Sequence, residues 1–205
     1  MKRLLLTIVL VLALTACGQA GQTAQTPPAD DGGQTAQAPA SDRNPTAAEL
    51  GREETATLTM AVEGTSEEVP ATLAIRQGYS LYIPDEGWKF SGDVYEDGAI
   101  WEDQWESVDN DDVELAVRCY AEMTAAEARE RFARDQDDYV FEDLMGGDLG
   151  DPLMGVDDED GGKLCFMAGE KDGSTYVVYW KYPADAAEGF GARLPIIAET
   201  FQMHP

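Results

Sequence analysis

The amino-acid sequence predicts an α+β domain: an antiparallel β-sheet with two main helices packed on it, preceded by a disordered tether. Three observations carry that prediction. Between Thr57 and Tyr182, apolar residues alternate with polar ones in short runs broken by Gly-, Asp- and Pro-containing turns. A capping signature opens a helix at Thr124, and apolar residues recur at helical spacing near the C-terminus. Residues 18–50 are mostly Gly, Gln, Thr, Ala, Pro and Asp, with almost nothing large and apolar.

The first element is not part of the domain. Met1-Lys2-Arg3 precedes an apolar run, Leu4 to Leu14, too short to span a bilayer, which needs about 20 apolar residues. A basic start, a short apolar core and small residues at the end describe a signal peptide over residues 1–16. An ordinary secreted protein would share those parts, and Cys17 separates the two readings. Leu14-Thr15-Ala16-Cys17 resembles the lipobox of bacterial lipoproteins. The resemblance implies that Cys17 receives a diacylglyceryl thioether and becomes the first residue of the mature chain. The protein would then sit on the extracytoplasmic face of the cell membrane, with the lipid bilayer as its first partner. One acyl chain anchors only marginally, at about 0.8 kcal/mol per buried methylene, so two chains are needed for a durable hold.

Residues 17–50 form the lipidated cysteine and its tether. Gly21-Gln22-Thr23-Ala24-Gln25 recurs as Gly33-Gln34-Thr35-Ala36-Gln37, which reads as low complexity rather than as a structural unit. Such a stretch cannot bury enough apolar surface to offset its conformational entropy. As a flexible chain it would reach roughly 30 Å, enough to lift a domain off the headgroups.

Residues 51–205 suit one extracytoplasmic α+β domain. The 14 basic residues less Lys2 and Arg3 leave 12 against 40 acidic ones, a formal charge of −28 for the mature chain. That charge excludes nucleic acid, whose phosphates would be repelled, and opposes flat contact with anionic lipid. Its ordinary role is solubility.

Within the domain, Leu58, Met60 and Val62 alternate, Glu63 to Ser66 turn the chain, and Val69, Ala71, Leu73 and Ile75 alternate back. Gln77-Gly78 turns again into Tyr79, Leu81 and Ile83, stopped at Pro84. Trp88–Phe90, Ala99–Trp101 and Gln104–Ser107 are short aromatic strand candidates, and Val113 to Tyr120 is the clearest strand. Thr124-Ala125-Ala126-Glu127 is a capping box. It is followed by an apolar stripe of Ala125, Ala128 and Phe132, with Arg129, Arg131 and Arg134 facing water. Tyr139–Phe141 reads as a strand, residues 144–162 as one long loop, and 164–168 with 175–182 as a hairpin. Ala184–Gly189 reads as a helical turn or two, and Pro195 as the first turn of a second piece. Phe190, Leu194, Ile197 and Phe201 are spaced to pack on the sheet.

Gly78-Tyr79-Ser80-Leu81-Tyr82-Ile83-Pro84, followed by Trp88, is similar to the strand, Pro, then Trp opening of the Mog1/PsbP-like fold. Ile196 to Phe201 resembles that fold's closing helix and Phe. The hairpin over residues 57–75 departs from it as an N-terminal addition. The resemblance implies an antiparallel sheet with helices and a non-enzymatic, protein-binding role.

Candidate chemistry is sparse. The single histidine, His204, stands next to the last residue, where a chain end is expected to be mobile. Ser-His-Asp and Cys-His catalysis need a positioned imidazole. Gly161-Gly162-Lys163-Leu164 lacks the spacing and hydroxyl of a phosphate loop. Asp109 to Asp112 and Asp157 to Gly161 do not keep calcium-loop spacing, and read as solvated turns. No cofactor, metal or catalytic residue is expected. Cys119 and Cys165 lie in strand-like stretches and admit two readings, a disulfide or separate buried thiols. Trp101 and Trp105, four apart on a strand, share a face and likewise admit core packing or contact with a sugar-like ligand.

The reading is a lipid-anchored surface domain, not an enzyme, that binds an extracytoplasmic protein or peptide. The alternatives are a glycan- or solute-capture lipoprotein using Trp101 and Trp105, and a carboxylate-based hydrolase. An exposed apolar patch beside acidic loops favours the first; a concave groove lined by those tryptophans favours the second. Cys17→Ala should release the protein from the membrane fraction or leave the precursor uncut. Fractionation showing normal processing and retention would refute the anchor.

Overall fold

Strand formation follows the alternation. In a computed structural model, which describes residues 43–62, 64–96, 100–142 and 144–205, β1 (Thr55–Val62) and β2 (Thr65–Arg76) pair antiparallel from Val62 with Thr65 to Thr55 with Thr72. That register sets Leu58, Met60, Ala71 and Leu73 in the core. β3 (Tyr79–Pro84) pairs with β2 and buries Tyr79 and Leu81. Residues 1–42, which hold the expected signal peptide, Cys17 and most of the expected tether, lie outside the described residues.

The second sheet begins with β4 (Trp88–Glu96) and β5 (Ile100–Ser107). The two candidates read as separate strands around Trp101 and Trp105 are one strand, paired with β4 across a bulge between Phe90 and Gly92. β6 (Glu114–Ala121) leads into α1 (Ala125–Asp135), whose capping box is formed. Thr124 Oγ1 accepts from Glu127 N at 3.3 Å, and Thr124 N donates to Glu127 Oε2 at 3.0 Å. Ala128 and Phe132 are fully buried. Arg129 and Arg131, expected in water, are half-buried: Arg129 pairs with Asp148 and Arg131 lies over the Tyr120 ring. Their long stems cover apolar surface while the charged ends find partners.

β7 (Tyr139–Phe141) is followed by a strand that the sequence hides. Residues 144–162 are not one loop; they contain β8 (Leu153–Asp157), paired with β7. Gly155 makes the segment look like loop, yet it is buried opposite Phe141, and a Cβ there would lie 2.6 Å from the Phe141 ring. The glycine makes room for an aromatic across the pair. β9 (Lys163–Lys171) and β10 (Ser174–Tyr182) form the expected hairpin, with Asp172 and Gly173 both at positive φ, as a two-residue turn between twisted strands requires.

After a 3-10 turn at Ala184–Ala186, α2 runs unbroken over Ala187–Ala198. Gly189, Gly191 and Pro195 do not divide it. Leu194, Ile197 and Ala198 are buried to within 1%, and that packing overrides the weak local propensity. The chain ends in β11 (Gln202–Met203), antiparallel to β3. His204 is therefore held rather than mobile: its N–H donates to Gly78 O at 2.8 Å and it is 7% exposed.

Two antiparallel sheets result, β1-β2-β3-β11 and β4-β5-β6-β10-β9-β8-β7. One core joins the inner face of the larger sheet to the smaller sheet and α2. A second core lies beneath α1 on the opposite face, around Phe132, Phe166 and Tyr179. The packed fold also reaches ahead of residue 51. Ala47 is buried in a turn, Asn44 Nδ2 donates to Ile75 O at 3.5 Å, and Arg52 donates to Ser80 O at 3.0 Å and Thr200 O at 2.9 Å. Residues 43–50, assigned to the tether by composition, thus include a buried Ala47 and an Asn44 bonded to the smaller sheet.

Gly155→Ala should lower unfolding free energy by about 1–3 kcal/mol through overpacking. In a Phe141→Ala background most of that loss should vanish. Urea midpoints of the four variants test the coupling, and additive losses would show that the ring does not set the constraint.

Candidate functional site

The site grows from two pinned turns. β3 stops at Pro84, and Asp85 N donates back to Pro70 O at 3.0 Å. Asp85 Oδ1 accepts the Thr72 hydroxyl at 2.6 Å, which fixes the acidic turn beside β2. At the end of β5, Val108 N donates to Gly87 O at 3.0 Å and Asp109 N donates to Ser107 Oγ at 3.2 Å. The two turns are thereby joined. α2 supplies the facing wall, tied by Arg193 Nη2 to Glu67 Oε2 of β2 at 3.0 Å.

Between these elements lies an open groove of about 680 Å³. Its floor is apolar: Met60 and Ile197 are buried, while Trp88 and Phe190 meet edge to face at 90° with ring centroids 6.4 Å apart. Val108 stands on the rim, 58% exposed. The rim is acidic, with Glu67, Glu68, Asp85, Glu86 and Asp109 among the lining residues against one cation, Arg193. Among the described residues the lining holds no His, Cys, Lys or Tyr, and one Ser, whose Oγ accepts from Asp109 N.

Trp101 and Trp105 do share a face, as expected, but it is the inner face of the larger sheet. Trp105 is 4% exposed against Phe90, with ring centroids 5.4 Å apart. Trp101 is half-buried and stacks on Tyr79 with centroids at 6.0 Å and 16° between planes. Asp103 fills the space between them and accepts the Tyr79 hydroxyl at 2.5 Å. Arg76 caps the group 4.2 Å above the Phe90 ring. Both tryptophans pack on the core between the sheets, and neither is among the residues that line this groove.

Two further buried acids, Glu102 and Glu114, lie on the opposite face. Glu102 takes Arg118 at 2.5 Å. Glu114 takes the Tyr179 hydroxyl at 2.7 Å and Lys181 Nζ at 2.8 Å. Burial, and then the Glu114 charge, push the Tyr179 phenol well above its usual range. Burial opposes the Lys181 charge, yet Glu114 holds that ammonium above its ordinary value. These charges satisfy one another beside α1 and do not face the groove. This closed set could not be foreseen, because β5, β6 and β10 bring its members together from distant parts of the chain.

Cys119 and Cys165 are free buried thiols, so the disulfide reading is corrected. They flank β10 on opposite sides, Cys119 facing Tyr176 and Cys165 facing Trp180. Two strand spacings and a four-residue offset separate them by well over the roughly 7 Å that a bridge allows.

No protein-family model matches the chain, and no curated protein matches it. Among solved structures, it is similar to the solution structure of cyanobacterial PsbP (CyanoP) from Synechocystis sp. PCC 6803. That similarity has 15% identity and a TM-score of 0.43, over 62% of this chain and 87% of the other. It is also similar to a crystal structure from Bacteroides thetaiotaomicron, at 9% identity and a TM-score of 0.35 over 62% and 45% of the two chains. No helix among the described residues is long and apolar enough to cross a membrane.

Burial pushes both thiols from 9.0 up to about 11. Because the folded values are raised, their contribution to stability is full below about 9 and is lost as pH rises through about 11. Urea midpoints should fall over that window, and less steeply in Cys119→Ala/Cys165→Ala. In a Cys17→Ser chain, a thiol reagent should count no reactive thiol in the native state and two after unfolding. A zero count after unfolding would restore the bridge.

Proposed function

We propose that this chain is a lipid-anchored extracytoplasmic domain, not an enzyme, that binds a protein or peptide through the groove between the β1–β2 hairpin, the two pinned turns and α2. The observation that carries this reading is the groove itself: an apolar floor with an exposed Val108, set among acidic turns. It offers area for a partner's side chains and holds no imidazole or thiol to act on them. The lipobox-like Leu14–Cys17 and the long polar segment after it support an anchored role, since they would hold the groove within a tether's reach of the membrane. The glycan-capture alternative loses its support with the burial of Trp105 and the stacking of Trp101. A hydrolase using two carboxyls needs them across a substrate, and Glu102 and Glu114 are spent on Arg118, Lys181 and Tyr179.

Placing a photo-crosslinking residue at Val108 in cells should give a discrete protein adduct. The same residue at Asp172, exposed on the β9–β10 turn, should give none. No adduct from position 108, or the same adduct from both positions, would overturn the assignment of the groove.

A further inference from the structure

We infer that the occupant of the groove is a basic peptide segment with apolar neighbours, received by the Trp88–Phe190 corner and by the carboxylates of Glu86 and Asp109. The inference rests on the groove being the binding face, and it adds the chemistry of what binds.

Charge decides the class of partner. Arg193, the one cation among the described residues of the lining, is already paired with Glu67 at 3.0 Å. Asp85 accepts the Thr72 hydroxyl, and Glu68 accepts the Thr59 hydroxyl at 2.9 Å. Glu86 and Asp109 are exposed and have no side-chain partner among the described residues. The turns that carry them are held together by the Val108–Gly87 hydrogen bond. Two unpaired carboxylates beside three more, in a chain of net charge −26, repel an acidic segment and attract a basic one. The same field disfavours anionic lipid and nucleic acid.

The floor decides the rest. Charge alone would be met by any cation, but Met60, Ile197, Val108 and the aromatic pair offer apolar contact that a bare polycation cannot use. An edge-to-face pair such as Trp88 with Phe190 presents a ring face on which a Lys or Arg can rest, with carboxylates close by on the rim. A volume of about 680 Å³ suits a few side chains, not a folded domain.

Fluorescence anisotropy with the full chain in phosphatidylcholine nanodiscs tests this, with empty nanodiscs as the baseline. The labelled probes are Lys-Leu-Lys-Leu-Lys, pentalysine and Glu-Leu-Glu-Leu-Glu. The mixed basic probe should bind about tenfold tighter than either of the others, a difference of about 1.4 kcal/mol. Glu86→Gln/Asp109→Asn should weaken it about tenfold, and Trp88→Ala by a similar factor. The control Asp158→Asn/Glu159→Gln removes the same charge from a distant loop and should change binding less than about twofold. A thermal melt confirms that each variant is folded; the two charge pairs are exposed and should leave it unchanged. Equal binding of pentalysine, equal loss in the control, or no binding of the mixed probe would each overturn the inference. If a probe at Val108 still captures a protein while the basic peptide fails, the groove stands and the basic occupant falls. If both fail, the groove falls as well.

Discussion

Both faces of β10 are buried, and much of the structure is a response to that constraint. From Thr175 to Trp180 each residue is shielded from water. Tyr176, Val178 and Trp180 need one cover and Val177 and Tyr179 need another. An antiparallel sheet commonly leaves one face wet, and this one cannot do so at its centre. α1 covers one side, with Phe132 seated between Phe166 and Tyr179 at centroid distances of 4.8 and 4.9 Å. The smaller sheet and α2 cover the other, through Leu81, Leu194 and Ile197. The groove is a by-product of that second cover. The hairpin of β1 and β2 and the turns at 84–88 and 107–109 rise around α2, and none of the described residues fills the space they leave.

Acidic residues divide into two populations with different physics. Glu102 and Glu114 lie where water is excluded, and a lone carboxylate there would be costly. Each is met by a cation, and Tyr179 supplies a further donor to Glu114. Glu86 and Asp109 remain hydrated and need no such answer. Asp157 is intermediate: its Oδ1 accepts Glu159 N at 2.8 Å and Asp160 N at 3.2 Å, so one acid of that run shapes its own turn. A high acid count thus has at least three meanings within one chain, and only position tells them apart.

Much of the fold was legible because its signals are local. Thr124 and Glu127 form their reciprocal bonds with neighbours three residues away, so the cap can be read without knowing the fold. The stretches at 164–168 and 175–182 pair as the hairpin that their intervening turn signals. β8 is hidden in the sequence because Gly155 signals a turn locally and a close aromatic contact only across the sheet. α2 was divided in two because Gly189, Gly191 and Pro195 weaken a helix on their own, whereas the buried Leu194 and Ile197 hold it together. The groove was not legible as a site. Met60, Trp88, Val108 and Phe190 are spread along most of the domain, and no spacing rule connects them.

By itself the sequence determined the α+β class, the strands with strong alternation, the capped helix, the acidic character of the chain and the lipobox-like start. Each depends on residues adjacent or nearly adjacent along the chain, where periodicity and capping act. Tertiary structure alone decided that the strands form two sheets, that Cys119 and Cys165 stay apart, that Trp101 and Trp105 serve the core, and that an acidic groove opens beside Trp88. Those outcomes depend on which distant segments must cover the two faces of β10. That choice is set by the burial of the whole domain, and no local window of the chain contains it.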